Sequence, residues 1–235
     1  MFAADFPDTV YAIQHVAFED LGIWEDALYS VGLRVRYVEA GVEDLSRALQ
    51  HKGLTIILGG PLSVHDRLDY PFLKQEIQLL KARIAANLPT LGIGLGAALI
   101  AYALGATVKA QAQQHISWST LQLNDEAGSL LAPLATLDVL HWQSDEFELP
   151  QGAHRLAAAT PTASPAFIYG HNILALPFHI EIATDSIEKW LIGHSLALRQ
   201  ANIKIGSLRG NCERLLPQLE AVAPQVLIDF LKQLN

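Results

Sequence analysis

Apolar and polar positions alternate with two different periods along this chain. Thr9 to His15 (TVYAIQH) and Arg34 to Glu39 (RVRYVE) have the β-branched and aromatic content of strands. Between them Ile23, Trp24, Ala27, Leu28 and Val31 recur at helical spacing, with Gly32 where a helix C-cap glycine belongs. Leu54 to Leu58 (LTIIL) is an unbroken apolar run, as in a strand covered on both faces. Leu73, Ile77, Leu80 and Ile84 form one stripe with Lys74, Gln78 and Lys81 off it, which predicts an amphipathic helix. Thr90 to Ile93 predicts a further buried strand and Ala97 to Leu104 a further helix. Strands and helices alternating in this way predict an α/β fold, an open, doubly wound, mostly parallel sheet flanked by helices.

The pattern changes after Gly105. Ile116 to Leu123, Asp138 to Trp142, Arg155 to Ala159, Ala166 to Tyr169 and Ile173 to Phe178 are short strand-like runs. Breakers at Asn124-Asp125 and Pro161 to Pro165 separate them, so antiparallel strands are expected beside the parallel core. The tail turns helical. Asp185 and Glu188 have capping-box spacing for a helix running to about Leu196, and Ala223 to Leu234 predicts a terminal helix. No repeat, low-complexity tract or linker interrupts residues 1–235, which predicts a single domain.

Composition narrows the function classes. Hydrophobic residues make up 51% of the 235 residues and charged residues 17%, which excludes intrinsic disorder. A formal net charge of -8 and a pI near 5.5 argue against a nucleic-acid surface, and no basic run would recruit an anionic membrane. Leu91 to Val108 carries no charge and approaches the length of a membrane span. Gly92, Gly94, Gly96 and Gly105 punctuate it and no aromatic or basic belt flanks it, so a strand, a tight turn and a buried helix are expected instead. The single cysteine, Cys212, excludes an internal disulfide framework and a cysteine zinc cage. The N-terminus lacks the pattern of a signal peptide, which points to a cytoplasmic protein. Nine histidines are scattered without helical metal-ligand spacing; neither a metal nor a cofactor is expected. Trp118, Trp142 and Trp190 are expected as core anchors, and His15, His65 and His141 as neighbours of a cleft.

Three short segments fall at the C-terminal ends of predicted strands, where open α/β sheets bind ligands. Gly59-Gly60-Pro61-Leu62-Ser63-Val64-His65-Asp66 follows LTIIL directly. Adjacent glycines let backbone N–H groups face an oxyanion or phosphate closely, although an ordinary strand-to-loop turn has the same letters. Gly92-Ile93-Gly94-Leu95-Gly96-Ala97-Ala98 lacks the spacing of a dinucleotide fingerprint. It fits a nucleophile elbow in geometry but not in chemistry, because the apex is Gly94. In Phe178-His179-Ile180-Glu181, residues two apart in extended chain share a face, so Glu181 can orient the His179 imidazole.

Taken in this order, the segments resemble the class I glutamine amidotransferases, particularly the GMP-synthase-type glutaminase domain and its free-standing relatives. The likeness extends through Gln14-His15, GGPLSVHD, GIGLGAALIAYALGA, His141-Trp142-Gln143-Ser144-Asp145, Phe167-Ile168-Tyr169-Gly170 and ALPFHIE. It implies the family's flavodoxin-like three-layer fold. It also implies a Cys-His-Glu mechanism in which an elbow cysteine attacks the glutamine amide. By position, Gly94 stands where that cysteine belongs, and His179 and Glu181 are base and orienter. The backbone N–H groups of Gly59, Gly60 and Leu95 would line the oxyanion hole. The departures are Gly94 for the nucleophile, Ala98 for a glutamine, Pro177 before the phenylalanine, Ile180 for the proline and Gln143 for a common histidine. Removing a triad nucleophile costs on the order of 10^6 in turnover. Cys212, 118 positions beyond the elbow (212 − 94), is expected as an inert thiol. The resemblance therefore implies a binding or regulatory module with glutamine or a related small molecule in a residual pocket. Alternatives are a hydrolase using His179-activated water on another amide or ester, and a structural partner of a synthase or of a second copy in a homodimer.

Overall fold

The computed structural model describes residues 6–124, 130–159 and 163–234. Residues 1–5, Asp125 of the first predicted breaker, and Pro161 and Thr162 of the second lie outside the described residues. The strands are β1 (Thr9–Gln14), β2 (Arg34–Glu39), β3 (Thr55–Ile57), β4 (Thr90–Ile93), β5 (Val108–Leu123), β6 (Asp138–Phe147), β7 (His154–Ala159), β8 (Ala166–Tyr169) and β9 (Ile173–Leu176). They form one sheet in the order β2-β1-β3-β4-β9-β8-β7-β5-β6. The pairings from β2 to β9 are parallel, and those from β9 through β8, β7 and β5 to β6 are antiparallel.

The helices are α1 (Ile23–Ser30), α2 (Ser46–Leu49), α3 (Phe72–Ala85), α4 (Leu95–Ala103), α5 (Ile187–Gly193), α6 (Ser195–Gln200), α7 (Ile205–Glu220) and α8 (Ala223–Gln233). Strand alternation sorts them onto two faces. Val10 and Ala12 of β1 join a core cluster with Trp24, Leu28, Leu216 and Phe230, from α1, α7 and α8. Tyr11 and Ile13 join the opposite cluster with Leu49, Leu73, Leu80 and Leu99, from α2, α3 and α4. Buried Arg83 of α3 ties the entry to β4 to the loop before β3. It donates to Thr90 Oγ1 at 2.9 Å and to the Gly53 carbonyl at 2.7 Å.

Several expectations need correction. The proposed capping box does not form: Ser186 is the N-cap of α5 without a side-chain bond, and Glu188 instead pairs with Arg209. The helix expected to reach Leu196 ends at Gly193, and α6 starts at Ser195. β9 stops at Leu176, two residues before Phe178. β5 begins at Val108, eight residues before the predicted start at Ile116. β6 continues past Trp142 to Phe147. Between the pairs Ala110↔Asp145 and His115↔Gln143 the β5–β6 register shifts, so residues 111–114 stand opposite Ser144 alone.

Candidate functional site

Because β1, β3, β4 and β9 run parallel, their C-terminal ends deliver His15, Gly59, Gly94 and His179 to one edge of the sheet. At Gly94, β4 turns directly into α4 with φ +54° and ψ -112°, a conformation that strains any residue with a Cβ. A Cβ built there would lie 3.0 Å from His179 Nε2 and 3.1 Å from its Cε1. The imidazole therefore faces the apex. Gly59 Cα lies 3.5 Å from the same point, and a Cβ on Gly60 would meet Leu95 Cδ2 at 3.2 Å. The structure thus brings Gly59, Gly60, Gly94, Leu95 and His179 together.

His179 is held from several directions. Its Nδ1 pairs with Glu181 Oε1 at 2.7 Å, while Glu181 Oε2 accepts the Ile180 N–H at 2.9 Å. The His179 N–H reaches the Leu140 carbonyl at 2.8 Å, and Trp190 packs edge-on against the ring at 4.9 Å. Burial alone would lower its pKa. The Glu181 carboxylate, through charge and hydrogen bond, then Glu19 and the Trp142 carbonyl, outweigh burial and leave the imidazole more basic than usual.

Glu19 belongs to this chamber and was not singled out from sequence. It is buried, its Oε1 accepts from His194 Nε2 at 2.8 Å, and its Oε2 would stand 2.2 Å from a Cβ on Gly59. A side chain at position 59 would have to displace that carboxylate. Glu19 and His194 are 175 residues apart, and no local pattern announces such a pair. Gln14 holds the Glu19 loop by donating to the Ala17 carbonyl at 3.2 Å. His15 steadies the double-glycine loop, with Nδ1 3.1 Å from the Gly59 carbonyl and Nε2 3.2 Å from Glu76 Oε2.

The other flagged histidines do not reach the apex chemistry. His65 Nε2 binds the Val108 carbonyl at 2.9 Å beneath the hairpin. His141 is buried on β6, with Nε2 3.0 Å from Ser119 Oγ and Nδ1 without a partner. Asp145 fixes the GGPLSVHD loop by accepting from Ser63 Oγ at 2.7 Å and from the Val64 N–H at 2.9 Å. Trp142 and Trp190 are buried, and Trp118 is half-buried against the core.

Space at the apex is scarce. The cavity lined by Gly60, Gly94, Leu95, Ala98, Gln143 and Pro177 measures about 10 Å³, room for about one water. Gln143 donates its Nε2 to the Pro177 carbonyl, and its Oε1 is buried without a partner. The lone thiol lies elsewhere. Cys212 is buried in α7, and burial pushes its pKa to about 11. Native protein should therefore react with a disulfide reagent at roughly 1/100 the rate of an ordinary cysteine near neutral pH, with full reactivity only on unfolding. Rapid labelling of folded protein would contradict this environment.

Residues 24–193 match the family model described as Glutamine amidotransferase class-I. The chain is 30% identical over 198 residues to the glutamine amidotransferase-like protein YfeJ of Salmonella typhimurium, covering 79% of this chain and 80% of that protein. It is 28% identical over 130 residues to a glutamine-hydrolyzing GMP synthase of Lactococcus lactis, covering 54% of this chain and 24% of the synthase. Among solved structures, a glutamine amidotransferase from Thermotoga maritima has a TM-score of 0.84 at 29% identity, covering 95% of this chain and 98% of its own. A glutamine amidotransferase from Methylobacillus flagellatus has a TM-score of 0.81 at 21% identity, covering 97% and 96%, a likeness of fold alone.

Proposed function

The chain belongs to the class I glutamine amidotransferase family, and from that premise we propose that it lacks the family's cysteine-dependent glutaminase chemistry and acts as a binding or regulatory module. One observation carries this reading. The apex that His179 faces is Gly94, which has no atom able to attack an amide. The filled cavity behind it supports the same reading, because about 10 Å³ does not admit a glutamine side chain. His179 and Glu181 would then be a base and orienter without a thiol to serve. Gly59, Gly60 and Leu95 would keep the shape of an oxyanion hole without an acyl group to hold. In this reading the module works in the cytoplasm, beside a synthase or a second copy of the chain. Among the described residues no helix is long and apolar enough to cross a membrane.

Pure protein is expected to release no ammonia from glutamine above the level of its His179→Ala variant. Robust turnover that disappears with His179 would overturn the proposal. The retained imidazole of His179 at the apex favours a second reading, in which it activates a water for attack on another amide or ester. A screen of amide, γ-glutamyl and ester substrates separates the two. Uniform inactivity removes the second, and His179-dependent hydrolysis of any of them removes the first.

A further inference from the structure

One buried pair under the double-glycine loop has a strict proton requirement. His15 Nδ1 lies 3.1 Å from the Gly59 carbonyl, and Nε2 lies 3.2 Å from Glu76 Oε2. A carbonyl and a carboxylate only accept, so both ring nitrogens must carry a proton. A neutral imidazole has one N–H and serves only one of them. The His15 and Glu76 side chains are 1% and 0% exposed, and the other Glu76 oxygen is buried without a partner. A carboxylate so placed depends on His15 for its countercharge.

The surroundings favour the charged ring. Burial alone would lower the His15 pKa, but the Glu76 carboxylate, the Gly59 carbonyl and Glu19 outweigh it. Glu39, at the end of β2, shares a small opening with His15, while Glu19 and His179 lie against Gly59. Phe72 of α3 packs 6.5 Å from the ring. Gly60 sits so close that a Cβ there would meet His15 Cβ at 2.9 Å, and Gly60 also lines the closed apex cavity. The state of the ring therefore reaches the cavity wall. When the ring loses a proton, the remaining N–H stays with the carboxylate, because a charged acceptor holds it roughly twice as strongly as a neutral one. The Gly59 carbonyl is then the group released.

We infer that His15 is an imidazolium at neutral pH and acts as a latch, tying the Gly59–Gly60 wall of the apex to Glu76 and releasing it when the ring deprotonates. Nothing in this latch depends on whether the apex catalyses. Nitrogen-15 and carbon-13 NMR of full-length protein, from about pH 6 to about pH 10, provides the test. Two His15 ring N–H groups are expected at about pH 7. As the ring deprotonates, the Gly59 carbonyl carbon and the Gly60 amide should shift with the same midpoint. Glu76→Gln removes the charge in nearly the same shape and should move that midpoint to lower pH. His15→Asn places a non-titrating amide N–H near the Nδ1 position, so the Gly59 carbonyl should hold one shift across the range. A single ring N–H at about pH 7 would put the second proton on Glu76 and overturn the latch. So would a ring still doubly protonated at about pH 10, a Gly59 carbonyl indifferent to the His15 titration, an unchanged midpoint in Glu76→Gln, or a native-like carbonyl titration in His15→Asn. Ammonia release from glutamine by native protein would defeat the proposed function and leave these resonances as expected.

Discussion

Gly94→Cys is expected to yield a thiol that ionises several pH units below Cys212, yet still to leave glutamine unhydrolysed. The new Cβ would lie 3.0 Å from His179 Nε2, and the Glu181 and Glu19 carboxylates favour the protonated form of that imidazole. A cysteine beside an imidazolium titrates in the range of roughly 3.5 to 7.5, against about 11 for buried Cys212. Ultraviolet absorbance of the thiolate reads the difference directly. The side chain also has to adopt φ +54° and ψ -112°, so denaturant unfolding should show a loss of roughly 1 to 3 kcal/mol. Turnover stays absent because the cavity of about 10 Å³ is too small for the substrate's amide arm. A thiol that titrates like a free cysteine would mean that His179 does not serve the apex in solution. Glutamine hydrolysis by the variant would mean that the cavity opens readily, and would trace the proposed inactivity of the native protein to the missing sulfur alone.

Acidification should weaken the fold through His141. This residue is fully buried, and desolvation, with contributions from the His115 and His179 charges, lowers its pKa to about 4. Its folded value lies below the ordinary 6.5, so its contribution is complete above pH 6.5 and is lost as pH falls toward 4. A gap of about 2.5 units corresponds to roughly 3 kcal/mol. His15 and His179 have raised values and act oppositely. Their stabilisation is complete below the ordinary 6.5 and is lost as pH rises through their raised values. Urea unfolding of native protein and His141→Gln, at about pH 7 and about pH 4.5, isolates the effect. The native protein should lose about 2 kcal/mol more than the variant over that interval. Equal losses would show that His141 is not the acid-sensitive group.

Residue content and spacing together located most of the parallel half of the sheet. The Leu73–Ile77–Leu80–Ile84 stripe marks α3, and the β-branched and aromatic content of TVYAIQ marks β1, which is buried between two cores. α7 was missed although Leu208, Cys212, Leu215 and Leu219 lie on one buried stripe, because Gly206, Gly210 and Pro217 look like breakers. Packing against the core overrides their low propensity. The first half of β5 was missed because Gln111, Gln113 and Gln114 give no apolar alternation, and the register shift there follows from pairing with β6. At the site, Gly59, Gly94, His179 and Glu181 lie in short segments with local signatures. Glu19 and His194 do not, because their meeting depends on how the β1 loop and the α5–α6 junction fold against each other.

Two of the four glycine codons lie a single base from a cysteine codon, so from either of them one point mutation would place the family's sulfur at position 94. If the filled space behind the elbow keeps such a revertant from gaining turnover, selection has no purchase on it. The way back to glutaminase activity would then need at least one further change among the residues that fill that space, Ala98 and Gln143 first.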